Sequence, residues 1–329
     1  MLQSRLYREG RLIRSDLPLE ELAAAADQQG CALWVDCTKD DVDTIRALAE
    51  QFDLHPVAVE DALGEHERPK IDRYDAHVYA IAYTTRLEAD AEDPSGIPRL
   101  RFHDVSIFSV RNAVITVRQN DQASIARATE VWESHPELLE HGSVAILWAV
   151  LDEIVDSHFD TVQALEERAV DVEDLIFGEH PDIRLAQRRL YRLHKMSLRL
   201  RRITLPTREI VGTILRFGSA ASDGPLAPYF QDVYDHALRV GDWMENLHDI
   251  ISTLFDSNLT AQSNRMNEVM KKVTSWAAII AVPTLVTGYF GMNVAFPLLN
   301  TFAGWLVAIC AIIIPSAVLF WLFRRSDWL

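Results

Sequence analysis

Asn293 closes the tripeptide Gly291-Met292-Asn293 and puts a carboxamide where an apolar segment ends. Behind it runs a face of small and polar side chains. At alternating steps of four and three it reads Asp256, Thr260, Ser263, Asn267, Met270, Thr274, Ala277, Ala281, Thr284, Gly288 and Gly291. A helix entering a bilayer keeps one face polar, or nearly free of side chain, only where that face meets protein or water. The chemistry on offer is passage of an ion. A ring of carboxamides would give oxygen acceptors to the waters of a hydrated cation. That suits Mg2+, which sheds its waters reluctantly, whereas a ring of fixed negative charge would bind the ion and slow its release. The same residues have plainer readings: Gly-Met-Asn as a helix cap and turn, and small residues four apart as close helix packing. Packing does not account for the polar residues that continue the face upstream, at Asn267, Ser263, Thr260 and Asp256.

The elements that must position this face are two apolar segments, from about residue 273 to 290 and from about 302 to 323. Each can cross a hydrocarbon core of about 30 Å as a helix. Lys271 and Lys272 precede the first, Arg324 and Arg325 follow the second, and the connection GMNVAFPLLNT carries no charge. Basic outer flanks place both termini in the cytoplasm. Two spans cannot enclose a polar path, so several copies must ring an axis with the first helix inside. From Pro228 to Gly291 no helix-breaking dipeptide occurs. A continuous helix there would be about 95 Å long and would carry the polar face down a cytoplasmic stalk.

The front of the chain has a different pattern. Segments 31–37, 77–85, 105–110 and 113–118 are rich in β-branched and aromatic residues and predict strands, the last two as a hairpin around Arg111-Asn112. Helices are expected at Lys39 to Phe52, capped by Asp40 or Thr38, and at Pro56 to Leu63. From about Ser124 the pattern is helical: a long acidic helix from Ser143 to Gly178, then a basic one from Asp182 to about Arg208, as an antiparallel pair. The expected division is an α/β domain (1–125), a helical hairpin region (126–225), a stalk continuing into the first span (226–291), an outer loop (292–301), the second span (302–323) and a basic tail (324–329).

Composition narrows the function. With 48 acidic and 32 basic residues, a net charge of -16 argues against nucleic acid and is compatible with cations. Three cysteines form no paired framework, which suits a reducing cytoplasm. The N-terminus has no apolar core of a signal peptide. Zinc-type Cys/His spacings, phosphate-cradling glycine loops and nucleophile elbows are missing from the sequence, which argues against an enzyme or an ATP-driven pump.

The tail resembles the CorA-type magnesium transporters at YFQDVYDH (229–236), SNRMNEVMKKVT (263–274) and PTLVTGYFGMN (283–293). HPVAVEDALGEHERPK (55–70) is similar to that family's cytoplasmic domain. The resemblance implies a funnel-shaped homopentamer with an α/β cytoplasmic domain, a long-helix bundle and two transmembrane helices. It implies entry of Mg2+, with Co2+ or Ni2+ as further cargo. Gly291, Met292 and Asn293 would form the outer selectivity ring, and Asp256, Asn267, Met270, Thr284 and Gly288 would line the pore. Val273 stands where the family has an apolar gate, typically leucine, and Ala281 where one branch has methionine. A regulatory metal site between subunits would match Glu60 and Asp61 with Asp232 of a neighbour, and more loosely Asp152 or Asp156, with His236 nearby. The alternative is the related ZntB branch of zinc transporters, with proton coupling as part of that alternative. That branch commonly has valine where Met292 stands.

Overall fold

The computed structural model describes residues 2–64, 68–90, 96–119, 125–178, 182–217, 224–292 and 301–328. Its units are Met1–Leu254 and Phe255–Leu329.

A mixed sheet organises the first unit. Its strands are β1 (Gln3–Arg8), β2 (Arg11–Ser15), β3 (Cys31–Thr38), β4 (Lys70–Arg73), β5 (His77–Glu88), β6 (Arg99–Val110) and β7 (Ala113–Arg118). They lie in the order β2-β1-β3-β7-β6-β5-β4. Only β3 and β7 pair in parallel, with Leu33 opposite Ala113 and Thr38 opposite Arg118. Every residue of β3 is buried, because both faces of the sheet are covered. Leu33, Val35 and Cys37 join the core made by α1 (Leu22–Ala26), α2 (Val42–Phe52) and α3 (Pro56–Leu63). The alternate residue Trp34 turns to the other face and meets Trp132 of α4 (Ala126–Ser134), ring centroids 5.2 Å apart.

The hairpin around Arg111-Asn112 is present, with Val110 paired to Ala113. α2 starts at Val42 rather than Lys39, and its capping position is Asp41, not Asp40 or Thr38. The reason is β3, which runs through Thr38 and leaves a turn before the helix can begin. α3 starts with Pro56 at its first position, and the His55 side chain accepts from Val57 N at 3.3 Å. The short α5 (Pro136–Leu139) leads into α6 (Ser143–Phe177), followed by α7 (Ile183–Phe217) and α8 (Ala227–Phe290).

α6 is fixed to the sheet at β5. Thr85 N donates to Ser157 Oγ at 3.1 Å, and its hydroxyl donates to Ser157 O at 2.9 Å. His158, fully buried, bonds through Nε2 to Tyr83 O at 2.7 Å, and burial pushes its pKa down to about 4. α6 runs beside the early part of α8 in the same direction: Trp148 meets Tyr229 and Phe159 meets Trp243, at 5.4 and 4.8 Å. α7 runs the other way. Ser197 contacts His248, Arg201 contacts Glu245, and the Tyr234 ring packs over Gly212, where a Cβ would sit 3.0 Å from it.

The second unit holds the rest of α8 and α9 (Phe302–Arg325). α9 is capped by Thr301, whose hydroxyl accepts from Gly304 N at 3.1 Å. α8 and α9 are long and apolar enough to cross a membrane.

Candidate metal centre and pore-lining face

Asp152 and Asp156 are four apart on α6 and so share a face, as do Asp232 and His236 on α8. The parallel course of the two helices brings those faces together. One ligand atom each from Asp152, Asp156 and His236 lies within 4.8 Å of the others. His236 Nε2 is 3.8 Å from Asp232 Oδ1. All three clustered residues are half-buried. Carboxylate oxygens at this spacing fit a hard divalent cation such as Mg2+, and the imidazole would also serve Co2+ or Ni2+.

Electrostatics point the same way. Burial, and then the nearby Asp156 charge, push the Asp152 carboxyl up to about 6. Burial pushes Glu153 up to about 7, and Asp156 is raised for the same first reason. Arg127 of α4 gives partial relief, 3.7 Å from Glu153 and 3.8 Å from Asp160. A divalent ion would relieve the repulsion more fully.

These raised carboxyls make stability and ion binding depend on pH. A carboxyl whose folded pKa is raised favours folding at low pH. That contribution is complete below about pH 4 and is lost as the pH rises through about 6 to 7. Binding a cation requires these groups ionised, so Mg2+ and protons compete. Mg2+ should therefore raise the melting temperature of the detergent-solubilised protein more at about pH 8 than at about pH 5. In Asp152→Asn the pH dependence of that increment should shrink. An increment equal at both pH values would remove the cluster as the binding site.

Glu60 and Asp61 sit on α3 and do not join this cluster within one chain. Glu60 is exposed. Asp61 is ion-paired with Lys70, which also holds Asp72 at 3.0 Å. A cation binding at Asp61 must therefore displace an ammonium.

The stripe lies on the part of α8 that belongs to the second unit. Asn267, Met270, Val273, Ala281, Thr284 and Gly288 are exposed or half-exposed in the single chain, as is Asp256 upstream. Thr260 and Thr284 donate their hydroxyls to the carbonyls of Asp256 and Ile280, both at 3.0 Å. Their oxygen lone pairs remain available to water. The two glycines differ. A Cβ on Gly291 would sit 3.0 Å from Thr287 O, and the backbone N of Gly291 donates to that carbonyl at 2.8 Å, so glycine there serves the end of the helix. A Cβ on Gly288 would meet nothing within 4 Å. No contact among the described residues asks for glycine at 288. Met292 is the last described residue before the connection, and Asn293 lies outside the described residues.

Residues 30–325 match the family described as CorA-like Mg2+ transporter protein. The chain belongs to that family. It is 29% identical to the putative metal ion transporter YfjQ of Bacillus subtilis over 80% of this chain and 79% of that one. It is 26% identical to the cobalt/magnesium transport protein CorA of Thermotoga maritima, covering 87% of this chain and 80% of that one. The complete structure of the CorA magnesium transporter from Methanocaldococcus jannaschii superposes with a TM-score of 0.75 at 19% identity, over 100% and 99% of the two chains. The sheet, the long helices and the two apolar C-terminal helices are thus the CorA fold. As a CorA-family member the chain is a divalent-metal transporter of a membrane.

Glu153 and its cation Arg127 carry no mark in the sequence. Glu153 is one of many acids on α6, and nothing local sets it apart. Only the placement of α4 over α6 isolates it from water and brings Arg127 to it.

Proposed function

We propose that copies of this chain assemble as a homopentamer that admits Mg2+ across the cytoplasmic membrane, with Co2+ and Ni2+ as further cargo. The observation that carries this reading is the small and polar face from Asp256 to Gly291 on a helix apolar enough to span. Gly288 supports it, because its missing side chain serves no contact among the described residues. In the assembly this face lines water. The carboxamide of Asn293, with Gly291 and Met292, holds the hydrated ion at the outer mouth. Both termini face the cytoplasm, as the basic flanks of the spans require.

Intracellular Mg2+ gates the pore in this reading. Asp152, Asp156 and Asp232, with Glu60 and Asp61 contributed across the subunit boundary, bind ions that clamp the closed ring. When Mg2+ falls, the carboxylates repel and the ring loosens. The ion shifts the population because it binds one state better.

Zinc transport by a proton-coupled relative is the competing assignment, and Met292 in the tripeptide favours magnesium over it. The test is flux into proteoliposomes with ion-sensitive dyes, comparing Mg2+, Co2+, Ni2+ and Zn2+ with and without a pH gradient. Mg2+ entry that ignores the gradient is the expected result. Zn2+ entry that requires it, with no Mg2+ entry, would transfer the chain to the zinc branch.

A further inference from the structure

The transport reading leaves unused a cleft of about 510 Å³ lined by Arg68, before β4, and by Lys195, Arg199 and Arg202 of α7. None of these four cations has a carboxylate partner among the described residues. Arg201 also lines this cleft but is paired, reaching Glu245 at 3.4 Å, and Arg192 of the same helix reaches Asp90 at 3.2 Å. The other four, unpaired among the described residues in a chain of net charge -16, repel one another unless an anion joins them.

A second cavity, of about 580 Å³, shares Arg199 and Arg202 and continues to Tyr83, Phe102 and Asp104. The Arg199 guanidinium lies over the Phe102 ring, 5.4 Å from its centroid. Asp104 is only 5% exposed. One of its oxygens pairs with Lys39, and the other, Oδ1, is buried with no hydrogen-bond partner among the described residues. A buried acceptor left unmade is costly, so Oδ1 calls for an O–H or N–H donor.

We propose that the joined cleft binds a nucleoside polyphosphate. The phosphates pair with Arg68, Arg199 and Arg202, whose planar forks match phosphate oxygens. The nucleoside extends into the cavity beside the Arg199–Phe102 pair and donates a hydroxyl or amino hydrogen to Asp104 Oδ1. An ionised inorganic polyphosphate satisfies the arginines but brings no donor for Asp104. Each cavity is of the size that takes a small organic ligand, about 300–1,000 Å³.

The test is calorimetric binding of ATP to the purified full-length protein in detergent, with tripolyphosphate and adenosine as parallel arms. Saturable ATP binding is expected, with tripolyphosphate and adenosine both weaker. Arg199 and Arg202 are exposed, so their replacement should not disturb folding. Arg202→Glu, and separately Arg199→Ala, should each weaken ATP by roughly tenfold or more with the melting temperature unchanged. Absence of saturable ATP binding, or binding that ignores both substitutions, overturns the site. Tripolyphosphate binding as tightly as ATP overturns the nucleoside assignment. The readout does not pass through ion flux, so its failure leaves the transport reading standing.

Discussion

Asn293→Ala is expected to cut Mg2+ uptake into proteoliposomes by more than roughly tenfold. In sequence the carboxamide follows the end of the small and polar face of the first span. In the proposed pore its oxygen would accept from the waters of the hydrated cation, and a hydrogen bond to a charged group contributes about 1.5–3 kcal/mol. Mg2+ keeps those waters, so the site must select the hydrated ion rather than strip it. Asn293→Asp separates binding from passage. A ring of carboxylates should hold Mg2+ more tightly and release it more slowly, so competition by other divalent ions should strengthen while flux falls. Uptake at the wild-type rate in the alanine variant would reduce Gly-Met-Asn to a cap and turn.

The sequence made some elements plain and concealed others for physical reasons. The two spans were legible because soluble folds seldom bury an apolar run long enough to cross a bilayer, and here two such runs carry basic outer flanks. α6 was legible from Ser143 because nothing breaks it before Gly178. β1, β2 and β4 were not. They are short and carry charges, and β2 is exposed throughout at a sheet edge, so no apolar alternation announces it. β5 and β6 extend beyond their apolar centres for a different reason. Their ladder runs from His77 opposite Val110 to Glu88 opposite Arg99, and backbone pairing carries it through Arg86 and Arg101. A hydrogen-bonded register of that length leaves no trace in hydropathy.

For the site, the spacing of four between Asp152 and Asp156, and between Asp232 and His236, was visible on each helix. That the two pairs face one another was not. It depends on α6 and α8 running side by side in one direction, set by Trp148 against Tyr229 and Phe159 against Trp243. Charge alone did not predict where the basic helix finds its acids. Arg192 and Arg201 of α7 turn to Asp90 and to Glu245 of α8.

On the proposed gating, Asp232→Ala is expected to leave transport running at millimolar internal Mg2+, where the wild-type protein should close. Two effects of the substitution oppose each other. Asp232 adds to the charge that raises Asp152 and Asp156, so its loss eases repulsion in the empty cluster and favours the closed ring. Its loss also takes a carboxylate from the ion proposed to clamp the ring. The side chain is 66% exposed, so water screens its repulsion and the first effect is small. Removing a group that supports a metal site costs about 10–100-fold in affinity, so the second effect wins. The internal Mg2+ needed for half-closure should therefore rise by roughly tenfold or more. Asp232→Asn keeps an oxygen without the charge and should fall between. Flux from proteoliposomes loaded with stepped Mg2+ concentrations gives the comparison. Closure of the alanine variant at the wild-type concentration would take Asp232 out of the gating site, while leaving the pore face untouched.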